Sequence, residues 1–118
     1  MAEYTRFTNL EVTGEIKGVV ASPLKGVAIS KSANYALADD EKAAYIGITL
    51  TAASKTVTLG LPDGAVALVV NEGGSNAFTL KNVSGDSGTS IAAGKAYLVR
   101  ASQTANGSVL TLLNNYTA

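Results

Sequence analysis

The chain has 118 residues, with nine basic side chains balanced by nine acidic ones, and it contains neither cysteine nor histidine. This length suits a single domain, and the charge balance argues against both a nucleic-acid surface and attraction to anionic membranes, because each needs a concentration of basic groups. The missing residue types exclude a disulfide framework, a thiol nucleophile, the commonest general base and the usual soft metal ligands, so we expect no cofactor and no metal site.

The first 34 residues are predicted to form an extended N-terminal arm. Leu10 and Val12 alternate with polar residues, Gly14 interrupts the pattern, and Ile16 begins a second extended piece. Large apolar residues are too few here for a separate core. Two interpretations stay open: a pair of ordinary edge strands, or an arm that docks on a neighbouring subunit or partner. In the second, the contact residues would be Phe7, Leu10, Val12, Ile16, Val19 and Val20.

Helix-forming residues gather between Tyr35 and Tyr45, but the run is too short for a stable isolated helix. We expect a loop with one helical or 3₁₀ turn, in which Asp39 or Asp40 caps a turn that starts at Glu41.

From Tyr45 onward, short apolar runs recur about every ten residues, which is the spacing of strands in an all-β domain. Ile46, Ile48 and Leu50 alternate toward one face, as do Phe78 and Leu80. The predicted strands are 46–50, 55–59, 65–71, 77–81, 89–92, 96–100 and 108–113. Residues 35–118 are therefore predicted to form a small antiparallel β-sandwich or barrel.

Gly, Asp, Asn and Pro mark the turns between these runs. Pro62-Asp63-Gly64 carries the chemistry of a tight turn, and Ala93-Gly94-Lys95 indicates a hairpin turn with Gly94 at a positive φ. Asn106-Gly107 is typical of a type I′ turn. The run 65–71 is apolar on both faces, which predicts a central strand.

Candidate chemistry is sparse. The stretch Gly88–Lys95 has five residues between its glycines and Ala after Lys95, so it departs from a phosphate-binding loop on both counts. The acidic cluster Asp39–Glu41 is either a solvated cap or a cation site. Asp63 and Asp86 lie in glycine-containing turns, where a backbone role is expected. No residue set indicates an enzyme.

Three Asn-x-Ser/Thr matches begin at Asn82, Asn106 and Asn115, and we interpret them as chance, because Met1–Arg6 lacks the apolar segment of a signal peptide. No stretch approaches the length of a transmembrane span. We expect no membrane partner.

Two blocks of sequence resemble small tailed-bacteriophage virion proteins. The first is Thr8–Lys17, and the second runs from Asn71-Glu72-Gly73-Gly74-Ser75-Asn76 through Gly94-Lys95-Ala96-Tyr97-Leu98-Val99. They are similar to the β module of head-decoration (cement) and head-fibre proteins. The resemblance implies a non-enzymatic protein on the capsid exterior, made in the bacterial host cytoplasm, trimeric, and bound to the major capsid protein. The alternative is a receptor- or glycan-binding fibre module, whose loops 72–76 and 85–88 would contact the glycan.

Overall fold

Two β-sheets enclose the core in a computed structural model that describes residues 26–117, with side chains described as far as Leu112. A 3₁₀ turn covers Asp39–Glu41. The strands are β1 (Gly26–Lys31), β2 (Tyr35–Ala36), β3 (Tyr45–Leu50), β4 (Lys55–Thr58), β5 (Val66–Asn71), β6 (Phe78–Lys81), β7 (Thr89–Ile91), β8 (Lys95–Ala101) and β9 (Val109–Thr117).

From β1 to β6 the chain alternates between the two sheets. One sheet has the strand order β9-β8-β5-β3-β1 and the other has the order β2-β4-β6-β7. β1, β3 and β5 run parallel to one another, and so do β2, β4 and β6. These six strands therefore form three coils of a parallel β-solenoid. The chain then reverses, so that β7 pairs with β6, β8 with β5, and β9 with β8, all antiparallel.

The predicted all-β, two-sheet fold is confirmed, but the antiparallel pairing holds only for β7, β8 and β9. Alternating hydrophobicity specifies which face of a strand is buried and not the direction of its neighbour, so the sequence pattern could not separate the two arrangements. β5 does lie in the centre of its sheet, as its doubly apolar pattern predicted.

Two of the predicted turns form, but they connect opposite sheets. Ala65 donates its N–H to the Pro62 carbonyl at 3.1 Å, with Gly64 at φ +81°, and this turn leads from the β4 side to β5. Gly94 has the predicted positive φ, +74°, yet its turn leads from β7 into β8 in the other sheet, so the hairpin prediction is wrong. A longer loop, 102–108, joins β8 to β9 in place of a two-residue type I′ turn.

The core lies between the sheets, where the inward positions of both are filled by aliphatic side chains and one phenylalanine. Ile46, Ile48 and Leu50 of β3 are buried, as their alternation predicted, and they meet Phe78 and Leu80 of β6 within one hydrophobic cluster. This burial is the main source of stability for the two-sheet fold.

Residues 26–34, assigned from the sequence to the arm, belong to the folded unit. Gly26–Lys31 is β1, with Ile29 in the core, and the Asn34 side-chain oxygen accepts the Thr56 N–H at 2.9 Å. The predicted boundary at residue 34 therefore falls inside the sheets. The predicted contact residues lie outside the described residues: Phe7, Leu10, Val12, Ile16, Val19 and Val20.

The reversal after β6 depends on Gly88, which has φ +85°. A Cβ atom at this position would lie 2.9 Å from the Leu80 carbonyl oxygen, which is closer than such atoms approach. Only glycine combines this backbone conformation with this close approach of β6. The residue that lets the chain change from parallel to antiparallel pairing is thus a single glycine.

Candidate functional site: an apolar outer face

The acidic cluster forms the predicted 3₁₀ turn and is engaged in local contacts. The Glu41 carboxylate accepts the Ala38 N–H at 2.8 Å and the Tyr35 hydroxyl, and Lys42 lies 3.0 Å from Asp39. The cap position is Ala38 and not an aspartate. The hydrogen bond from Tyr35 lowers the pKa of Glu41, and the same bond raises the pKa of Tyr35.

Within residues 26–117, no three acidic side chains are placed to hold a metal ion. Gly88–Lys95 consists of β7 and a turn, with no helix to follow it as a phosphate-binding loop would need.

Asp63 binds the backbone, as expected, whereas Asp86 binds both a side chain and the backbone. Asp63 accepts the N–H of Gln103, and Asp86, which is buried, accepts the Ser108 hydroxyl at 2.6 Å and the Gly107 N–H at 3.2 Å. The bond from Ser108 is the main cause that holds the pKa of the Asp86 carboxyl below its ordinary value, against the opposing effect of burial. Both aspartates fasten loops.

Two buried asparagines, Asn71 and Asn82, brace opposite ends of the module, and sequence reasoning missed both. Asn82 bonds the backbone of Leu61 in both directions and the Ser102 carbonyl at 2.7 Å. Asn71 donates to the carbonyls of Asn76 and Ile91 at 2.8 and 3.0 Å. In the sequence each stands at a strand end beside turn residues, where nothing distinguishes it from an ordinary turn former.

The outer face of the four-stranded sheet is polar. Its outward positions on the three longer strands carry hydroxyl groups and one lysine, and they are Thr56, Thr58, Thr79, Lys81 and Ser90. Threonine is favoured on strand surfaces that face water, because its branched side chain suits the pleat while its hydroxyl stays solvated.

The outer face of the five-stranded sheet is apolar by contrast. Strand register places Tyr45, Leu68 and Leu98 in one row across β3, β5 and β8, and Val66 and Leu110 in the next row on either side of Arg100. We call Tyr45, Val66, Leu68, Leu98 and Leu110 the apolar outer face.

This face is open to solvent. Val66 is 50% exposed, Leu110 is 55% exposed and Tyr45 is 37% exposed, while Leu112 of β9 is 48% exposed. All four large hydrophobic residues that are exposed within the described residues belong to this one sheet. Exposed apolar side chains that share one face of a sheet make that face the candidate binding surface.

A charged group borders the apolar outer face at Glu72. Its carboxylate accepts the Tyr45 hydroxyl at 2.7 Å and occupies the space that a side chain at Gly47 would fill. The hydrogen bond to Glu72 raises the pKa of Tyr45. This hydrogen bond fixes the position of the Tyr45 hydroxyl at the edge of the face.

An apolar groove of about 490 Å³ lies along the Val66 side of the face, and Pro62, Ala43 and Ala65 line it. Val66 belongs to both the groove and the apolar outer face, so the two form a continuous surface. The sequence carries a signal for this surface: the run 65–71 is apolar on its outward positions too, a pattern that predicts a central strand and does not reveal an exposed face.

No helix within the described part of the chain combines the length and the apolar character that a membrane crossing needs. Comparison with protein-family models, with curated proteins and with solved structures finds no match.

Proposed function

We propose that this protein is a structural component of a tailed-phage virion, which decorates and stabilises the outside of the capsid as a homotrimer bound to the major capsid protein. The observation that carries the proposal is the contrast between the polar outer face of one sheet and the apolar outer face of the other. The resemblance of Thr8–Lys17 and of the block from Asn71 to Val99 to head-decoration and head-fibre proteins supplies the biological setting.

In such a protein, the apolar outer face would be the surface that binds the capsid. Covering half-exposed side chains such as Val66, Leu110 and Tyr45 contributes about 1 kcal/mol each. A trimer presents three such faces at once, and simultaneous contacts multiply the strength of attachment. The threonine-bearing sheet would then point to solvent, where its hydroxyls remain hydrated.

The mechanism is mechanical and needs no bond to be made or broken. A trimer at a local threefold axis would contact several capsid subunits and resist their separation under the pressure of packaged DNA. Assembly would occur in the host cytoplasm, and no metal, cofactor or enzymatic step is part of the proposal.

A receptor- or glycan-binding fibre module is the second candidate, and one feature favours it. An open depression of about 430 Å³ lies beside the loop 72–76, lined by polar residues that include Ser75, Asn76 and Thr79. The Asn76 amide donates to the Leu50 carbonyl at 2.9 Å, so its nitrogen is already engaged. The depression therefore offers a glycan several hydroxyl groups, the Asn76 amide oxygen and the Lys55 side chain.

The test compares the full chain with a variant that carries Val66→Glu and Leu110→Glu. We expect the wild-type protein to sediment with heads of its phage assembled without it, and to run as a trimer in light scattering after size exclusion. Two charges buried in an apolar contact should weaken head binding by at least about a hundredfold.

The matched control carries Thr56→Glu and Thr58→Glu on the polar outer face, where both charges stay in water and neither residue lines the depression. Thermal unfolding by circular dichroism checks that each variant folds. If the Val66/Leu110 variant binds heads as tightly as the control does, the proposal is wrong. Binding of the control and wild type to a glycan array, without head binding, would favour the fibre module.

A further inference from the structure

One basic residue, Arg100, lies within the apolar outer face. Strand register places it directly between Val66 of β5 and Leu110 of β9, and both of these side chains are about half exposed. Residues directly opposite each other on antiparallel strands have their side chains in contact, so apolar groups flank Arg100 on both sides. Arg100 is itself exposed, and its positive charge is therefore presented at the surface.

The guanidinium of Arg100 also borders the apolar groove. Val66, its cross-strand partner, lines that groove. A Cβ atom built on Gly64 would lie 3.4 Å from Arg100 Nη2, so the guanidinium lies against the turn whose ends, Pro62 and Ala65, also line the groove. Two separate observations thus place the same positive charge beside one apolar groove.

Lys42, the basic residue that lines the groove, is already paired. Its ammonium lies 3.0 Å from the Asp39 carboxylate. Within residues 26–112, by contrast, no carboxylate lies at ion-pair distance from Arg100. A guanidinium presents two parallel N–H donors that match the two oxygens of a carboxylate, which makes arginine well suited to bind that group at an interface.

A negative charge, that of Glu72, lies toward the other end of the apolar outer face. Glu72 fills the space beside Gly47, whose partner on β5 is Val70, whereas the β5 partner of Arg100 is Val66. The two charges are thus separated by about 13 Å along the strands. A partner's carboxylate is attracted at the Arg100 end and repelled at the Glu72 end, so the charges select the direction in which an acidic partner lies.

We propose that Arg100 is the residue through which the apolar outer face binds a carboxylate, carried by a protein segment that also presents apolar side chains. The carboxylate accepts two parallel hydrogen bonds from the guanidinium, while the apolar side chains cover Val66 and Leu110 and enter the groove. Exclusion of water by these apolar groups strengthens the ion pair, because it lowers the local screening of the two charges. The inference rests on the proposed function, in which the segment belongs to the major capsid protein, and it adds the chemistry of that segment.

The first test needs no phage heads and uses hexanoate as the probe, because hexanoate joins an apolar tail to a carboxylate. Hexanamide is the matched probe, since it has the same tail and a neutral head group. In two-dimensional NMR of the full chain, hexanoate should shift the amide signals of Gly64, Ala65 and Val66 at least about threefold more than hexanamide does. Equal shifts from the two probes, or no shift with hexanoate, would overturn the proposal.

Two variants show whether Arg100 causes this preference. Arg100→Gln should make the effects of the two probes equal, whereas Lys81→Gln should keep the preference for hexanoate. Lys81 is the matched control because its replacement removes the same charge from the polar outer face of the other sheet. Thermal unfolding by circular dichroism checks that both variants fold. A preference for hexanoate that persists in Arg100→Gln would overturn the role of Arg100.

Binding to phage heads gives the second test. Arg100→Gln should bind heads at least about tenfold more weakly than Lys81→Gln does. Arg100→Lys should recover only part of the loss, because an ammonium lacks the planar pair of donors. Added salt should weaken the binding of the wild type more than that of Arg100→Gln, because salt screens the ion pair.

The outcomes separate this inference from the proposed function. If Arg100→Gln and Lys81→Gln bind heads equally well, the carboxylate contact is wrong, although a loss of binding in the Val66/Leu110 variant would still support attachment to the capsid. If the wild type binds no heads, the proposed function is wrong, and the comparison of hexanoate with hexanamide decides by itself whether Arg100 binds a carboxylate.

Discussion

The side chain of Asn82 and the backbone of Leu61 form a two-way pair across the module. Leu61 donates its N–H to Asn82 Oδ1 at 2.7 Å, and Asn82 Nδ2 donates to the Leu61 carbonyl at 3.0 Å. The same amide nitrogen reaches the Ser102 carbonyl at 2.7 Å. One buried side chain thereby ties together the segment before β5, the segment after β6 and the end of β8.

Asn82→Ala should destabilise the protein by about 3 kcal/mol, because it leaves buried backbone groups without partners. Urea unfolding followed by circular dichroism measures the change. Asn34→Ala is the matched control, since the Asn34 side chain is exposed and accepts one backbone hydrogen bond, and it should cost about 1 kcal/mol or less. Equal losses in the two variants would contradict the bracing role of Asn82.

Asp86 should make the stability depend on acidity. Its folded-state pKa is lowered, chiefly by the Ser108 hydroxyl, so its contribution is present above the ordinary aspartate pKa of about 4 and is lost as the pH falls through the lower folded value. Asp86→Asn removes this titration. We expect the free energy of unfolding of the variant to lie below that of the wild type at pH 7, and the two to converge toward pH 2. Urea midpoints measured across that range test this, and a constant difference would exclude Asp86 as the source.

Gly88→Ala should be among the most damaging small substitutions in the chain. It places a Cβ against the Leu80 carbonyl at a backbone angle of φ +85°, so strain and collision add, and we expect a loss of about 3 kcal/mol or more. Gly74→Ala is the control, because a Cβ there meets nothing within 4 Å and no positive φ opposes it. Thermal unfolding should separate the two, and a Gly88 variant as stable as the Gly74 variant would refute the close-approach explanation.

Glu72→Gln should lower the pKa of Tyr45. The carboxylate now accepts the Tyr45 hydroxyl at 2.7 Å and disfavours loss of its proton, whereas a neutral amide would not repel the phenolate. An NMR titration of the Tyr45 ring signals measures the shift directly. An unchanged Tyr45 titration in the variant would contradict the role of this hydrogen bond.

Individual residues show which parts of the fold the sequence predicts. The burial of Ile46, Ile48 and Leu50 follows from alternation, and the turn at Gly64 follows from residue chemistry, so both were predictable. The direction of the neighbouring strand was not, because the same Pro-Asp-Gly chemistry serves a hairpin and a connection between sheets. The antiparallel prediction failed for the pairs β3–β5 and β4–β6 for that reason.

The sequence did not predict the apolar outer face, for a related reason. Val66 and Leu68 lie in a run that is apolar on both faces, and such a run predicts a strand covered on both sides. In the structure, neighbouring strands pair with both edges of β5, and the opposite sheet packs on one of its faces. Val66 lies on the other face and is half exposed. The sequence shows that a residue is apolar, but it does not show whether the protein's own core covers that residue or leaves it exposed.

Because the coils are stacked, the height of the solenoid can change by whole coils. Each coil of 19 to 23 residues adds one strand to each sheet, so a duplicated or deleted coil would change the height of the stack by about 4.8 Å and leave the pairing of the remaining coils unaltered. Variants that differ by whole coils would keep the closing strands β7 to β9 and the turn at Gly88. A solenoid built in this way can vary its height in fixed increments without redesign of its core.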